Sequence, residues 1–155
     1  MSRGLLAIMA TVTHLGLVVL TIGIVSYASN RDVIVEQDAG TLLGPAMVLA
    51  AMAVVFLTLA RSFGVAERDG VTPRILPPAV VAAVVAFVAM LLVGSGIYAL
   101  ERGEAVWLVL FAGRYASSAF VVVSAVWAAA VVAGTLLVAR HEAAAGRPSG
   151  HHDDL

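Results

Sequence analysis

The stretch AVWLVLFAGRYASSAFVVVSAVWAAAVVAGTLLVA, residues 105–139, contains one charge, Arg114, and that charge decides where a membrane must begin. Residues 116–139 give about two dozen uncharged positions, enough for a helix rising about 1.5 Å per residue to cross a hydrocarbon core of roughly 30 Å. The part before Arg114 is too short to cross. One helix through the whole stretch would run on the order of 50 Å and hold Arg114 inside the bilayer, at roughly 2.5–3.5 kcal/mol even on lenient insertion scales. Arg114 is therefore assigned to a water interface as a snorkelling anchor, and residues 105–111 to a short half-buried turn of helix beside it.

Three other apolar runs of comparable length precede this one. The chain is expected to be an all-α integral membrane protein, a four-transmembrane-helix bundle with spans at about 4–28, 42–60, 78–100 and 116–139. Composition agrees: 61% of residues are hydrophobic, 12% are charged and mean hydropathy is +1.02, far from the balance of a soluble domain. With the spans removed, no segment exceeds about 18 residues, too few to build a core of its own, so any site lies among the helices or at their rims. The chain has no cysteine, which excludes disulfides, thiolate metal ligands and dithiol exchange. All nine basic residues are arginine, and Ala, Val and Gly abound, which reads as the GC-rich codon usage of a bacterium. The expected location is the inner (plasma) membrane, crossed several times.

Arg3 gives the first span a basic start. Ser26, Tyr27 and Ala28 supply the small-x-small pattern of a cleavage site, but the run is too long for a signal h-region of about 7–15 residues and reads as a permanent span. Residues 29–40 form an acidic loop whose centre, Val33 to Val35, is β-branched and expected to be extended. Thr41 suits an N-cap and Pro45 a first helical turn, and the second helix is expected to end at Arg61, before a loop over 62–76. Pro77 and Pro78 open the third helix. Residues 140–155 read as a disordered tail. Counting arginines by the positive-inside rule puts Arg3, Arg61, Arg68, Arg74, Arg140 and Arg147 on one side against Arg31, Arg102 and Arg114 on the other, so both termini are expected in the cytoplasm. Tyr27, Tyr98, Trp107 and Tyr115 all fall at the outer boundary, as an interfacial aromatic belt would.

Helices in lipid associate where small residues let backbones approach. Such lines run through Gly113, Ser117, Ala125, Ala129 and Ala133, through Ala130 and Gly134, through Ala79 and Ala83, Ala82 and Ala86, and through Ala46 and Ala50. Their first use is packing within the chain and their second a dimer face.

The candidate polar site is intramembrane. His14 shares a helical face with Ala7, Thr11, Val18 and Thr21, and that face is expected to turn inward. Trp127 lies mid-span, where its indole N–H needs an acceptor. Counted from the cytoplasmic ends of their helices, both side chains start roughly 15–18 Å deep. The expected arrangement is a hydrogen bond from Trp127 Nε1 to His14, with Ser124 as the fallback partner. One histidine alone completes neither a zinc site nor a haem site. The acidic residues Asp32, Glu36, Asp38, Glu101 and Glu104, and the tail's His151, His152, Asp153 and Asp154, read as solvated groups, so no metal is expected. No nucleotide-binding loop, metalloprotease or nucleophile-elbow motif is present, and no carboxylate lies within a span.

The expected function is therefore non-enzymatic, with no catalytic residue and no cofactor. The protein would act by association in the bilayer with another membrane protein, as an accessory subunit or assembly factor, with no nucleic-acid partner. The alternative is a small transporter or channel, a homo-oligomer whose pathway is lined by His14, Thr11 and Thr21.

Overall fold

The computed structural model describes residues 2–29 and 42–145. It contains five helices: α1 (Arg3–Ser29), α2 (Leu43–Asp69), α3 (Leu76–Arg102), α4 (Val106–Tyr115) and α5 (Ala119–Ala145), and among the described residues there is no strand. Four of them, α1, α2, α3 and α5, are long and apolar enough to cross a membrane, while α4, at 10 residues, is not. The helices are uninterrupted because their prolines stand only in first turns, Pro45 in α2 and Pro77 and Pro78 in α3, where the missing N–H removes no internal bond.

Several boundaries differ from those the apolar runs suggest. Helix α2 does not stop at Arg61 but continues to Asp69, and Gly70 closes it in the left-handed region at φ 62°. The connection to α3 is correspondingly only residues 70–75. Arg61, Ala66, Glu67 and Arg68 are good helix formers, and a helix ends where its capping chemistry lies, independently of where the apolar run ends. Likewise α5 runs through Arg140 and His141 to Ala145, so the first residues of the expected disordered tail are helical. The remainder of the tail, the acidic loop with Val33 to Val35 and the Thr41 cap all lie outside the described residues. Leu42 occupies the N-cap of α2 and makes no side-chain cap bond.

The quoted stretch divides as Arg114 requires, into α4 and α5. The break is local: Ser118 N bonds Tyr115 O, and Ser118 Oγ accepts from Val121 N at 3.3 Å, the N-cap arrangement that starts α5 at Ala119.

Packing follows the small-residue rows. Helix α3 lies against α2, α5 and α4, and α1 closes the ring against α2 and α5. The inward face of α2 is Leu43, Met47, Ala51, Val55, Leu59 and Phe63, a strict four-residue repeat, and α3 answers with Ala82, Ala86, Met90, Gly94 and Tyr98 at the same spacing. Such rows are the ridges along which helices interdigitate. Of the small-residue lines, Ala79, Ala82, Ala86 and Ala125 are buried in this packing, whereas Ala130, Gly134, Gly113 and Ser117 face outward. Gly94 marks the closest approach: a methyl group there would stand 2.8 Å from Met47 Sδ and 2.9 Å from Phe111 Cε1. Consecutive long helices are antiparallel, as shown where Arg3 Nη1, at the start of α1, meets Glu67 Oε1 near the end of α2 at 3.1 Å. The same guanidinium donates to Phe63 O at 3.4 Å.

The outer faces are apolar too. Val12, Val19, Leu20, Leu49, Leu57, Leu92 and Val126 are all exposed, a surface that water would penalise and hydrocarbon would not.

Candidate functional site

The face of α1 that turns inward carries Ala7, Thr11, His14 and Val18, all buried, with Thr21 half-buried beyond them. Against it α5 sets Ser124, Ala128 and Val132, all fully buried, and the half-buried Trp127. Apolar contacts make most of this seam, and its polar groups are few enough to account for one by one.

Thr11 Oγ1 donates to Ala7 O at 2.8 Å, and Ser124 Oγ to Phe120 O at 2.8 Å. Each hydroxyl thus spends its hydrogen on the preceding turn of its own helix, the usual resort of Ser and Thr in apolar surroundings. Trp127 Nε1 donates across the seam to Thr21 Oγ1 at 3.0 Å. His14 is fully buried, and neither ring nitrogen has a hydrogen-bond partner among the described residues. The Trp127 backbone lies beside the ring without the geometry of a hydrogen bond.

The expected bond from Trp127 to His14 is therefore not formed, and Ser124 does not replace it. The imidazole lies by the Trp127 main chain, while the indole reaches Thr21, two turns farther along α1. The side chains separate because each leans toward the N-terminus of its own helix. In an antiparallel pair those leans are opposed. The indole reaches toward the end where Thr21 sits, and the imidazole reaches away from it.

Arg114, the expected anchor, is exposed in the last turn of α4, and α5 starts after the break. The expected aromatic belt is largely internal. Tyr98 and Tyr115 are each 5% exposed, whereas Tyr27 is 91% exposed. Tyr98 meets Trp107 edge-on at 5.7 Å and Phe111 at 5.1 Å, and Phe111 stacks on Tyr115 at 4.3 Å. Arg102 donates to Tyr98 Oη at 3.2 Å and lies 5.4 Å and 5.2 Å from the Tyr98 and Trp107 ring centres. Sequence reasoning missed this cluster, although its signal was present: Trp107, Phe111 and Tyr115 repeat every four residues, as do Tyr98 and Arg102, so each set shares one helix face. Glu101 and Glu104 are exposed, and the acidic residues expected to stand with them lie outside the described residues, as does the histidine-rich tail.

The seam's chemistry is that of registration. Among the described residues it holds two hydroxyls bonded to their own helices, one interhelical bond, and one imidazole with a donor and an acceptor nitrogen and no second ionisable group beside it. No curated protein and no solved structure matches the chain. Residues 2–153 match the family of unknown function DUF6121, and the chain belongs to that family.

Proposed function

We propose that α1, α2, α3 and α5 cross a bacterial plasma membrane as an up-and-down bundle with both termini in the cytoplasm, and that the protein acts there by association, as an accessory subunit or assembly factor. The carrying observation is that the polar groups at mid-depth are spent inside the chain. Thr11, His14 and Ser124 are buried, Thr21 is bonded to Trp127, and what the long helices present outward is apolar. A surface of that kind meets lipid or another protein's helices. A transporter built by oligomerisation would need His14, Thr11 and Thr21 to face a shared pathway, whereas the packing of α1 on α5 turns them into the interior of one copy.

Orientation draws support from the arginines. Arg3, Arg61, Arg68, Arg74 and Arg140 gather at one end of the packed helices and Arg102 and Arg114 at the other, the asymmetry of a positive-inside protein.

The test is affinity purification of the full chain from native membranes, with co-purifying proteins identified and quantified. A stoichiometric membrane partner is the expected result. A pure homo-oligomer that conducts or exchanges a solute after reconstitution would overturn the reading in favour of a transporter.

A further inference from the structure

Between the last turns of α2, the 70–75 connection and the first turns of α3 lies a pocket of about 780 Å³. Arg61 and Arg74 both line it. Neither guanidinium has an ion-pair or hydrogen-bond partner among the described residues, and neither is paired with Asp69, the single acidic residue of the wall. Two arginines against one aspartate leave the wall a net charge of +1.

The cationic donors available to a ligand are the two arginines. Ser62 Oγ already donates to Thr58 O at 2.7 Å, and Pro77 and Pro78, in the first turn of α3, have no N–H to offer. A guanidinium presents five N–H groups in a fork that matches the oxygens of a phosphate. On the α3 side the lining is of another character: Val81 lines the pocket, and beyond it α3 continues apolar, with Val84, Val85 and Val88 exposed. A cationic wall that continues into an exposed aliphatic helix face complements an amphiphile with an anionic head.

We propose that this pocket binds an anionic phospholipid of the surrounding leaflet, with Arg61 and Arg74 on its phosphate and an acyl chain along Val81 and Val85. The inference rests on the reading that these helices cross a bilayer. The net positive wall selects a headgroup with net negative charge over a zwitterionic one.

The experiment titrates the purified full-length chain in detergent with phosphatidylglycerol or phosphatidylethanolamine and measures retained lipid by native mass spectrometry. Phosphatidylglycerol is expected to bind at least about fivefold more tightly, and Arg61→Gln and Arg74→Gln each to weaken it by about fivefold, the effect of one basic residue at a lipid surface. Arg68→Gln, outside the pocket, should change nothing, and Val81→Trp, which obstructs the aliphatic α3 side and keeps both arginines, should lower retention. Equal retention of the two lipids, or undiminished phosphatidylglycerol binding in both arginine variants, overturns the proposal. So does competition by glycerol phosphate as strong as by the lipid, which would indicate a free-phosphate site. If the arginine variants are not recovered folded, wild-type retention by Val81→Trp is decisive against it. Membrane crossing is tested apart: release of the chain from native membranes by an alkaline carbonate wash would refute crossing whatever the purified chain binds.

Discussion

Trp127 Nε1 donates to the Thr21 hydroxyl at 3.0 Å, tying α5 to α1 above a buried His14 to which it makes no bond. A double-mutant cycle with Trp127→Phe and Thr21→Val should give a coupling of about 0.6 kcal/mol, reaching at most about 1.7, as interhelical bonds in membrane bundles do. The cycle of Trp127→Phe with His14→Leu should give a coupling near zero. Reversible unfolding in mixed micelles measures both, and the opposite ranking would mean that the indole pairs with the imidazole.

His14 buries two ring nitrogens with no partner among the described residues. Removing an unsatisfied buried polar group relieves a desolvation penalty of about 1–3 kcal/mol, and leucine has a similar size. His14→Leu is therefore expected to stabilise the fold, by about 1 kcal/mol once imperfect packing is allowed for. A clear loss of stability in the same unfolding assay would show that the imidazole bonds a group the chain does not supply.

Gly94 sits where α2, α3 and α4 converge. Gly94→Ala should lower stability by about 1–3 kcal/mol through overpacking against Met47 and Phe111, despite the better helix propensity of alanine. In a Met47→Ala background the same substitution should cost less, because the sulfur it would strike is gone. Thermal unfolding of the four variants decides, and equal penalties in both backgrounds would mean that the contact with Met47 is not the cause.

Topology is tested at the two short connections. Thr72 and Glu104 are exposed. Cysteine at Glu104 should react with an impermeant thiol reagent in intact cells, and cysteine at Thr72 should react only after the membrane is opened. The neighbouring Gly70 and Gly103, at φ 62° and 70°, are left intact because a side chain there is strained. Labelling of Thr72→Cys in intact cells would invert the proposed orientation.

Much of the architecture is legible in the chain without coordinates. A run of apolar residues long enough for a helix is visible however it packs, so the four long helices, the division at Arg114 and the inward face of His14 could all be read from residue order. The periodicity that turns Ala7, Thr11, His14 and Val18 to one side belongs to α1 alone. What periodicity does not carry is the partner. Whether Trp127 meets His14 or Thr21 depends on the opposed lean of side chains in an antiparallel pair, a relation between two helices that neither contains. The same holds for the inward collapse of Tyr98 and Tyr115, which needs α4 folded back on α3, and for Gly94, whose missing Cβ matters only because Met47 and Phe111 arrive there from other helices. The lengths of α2 and α5 were misjudged for a different reason: hydropathy marks where lipid would end, whereas a helix ends where its backbone finds a cap, as α2 does at Gly70.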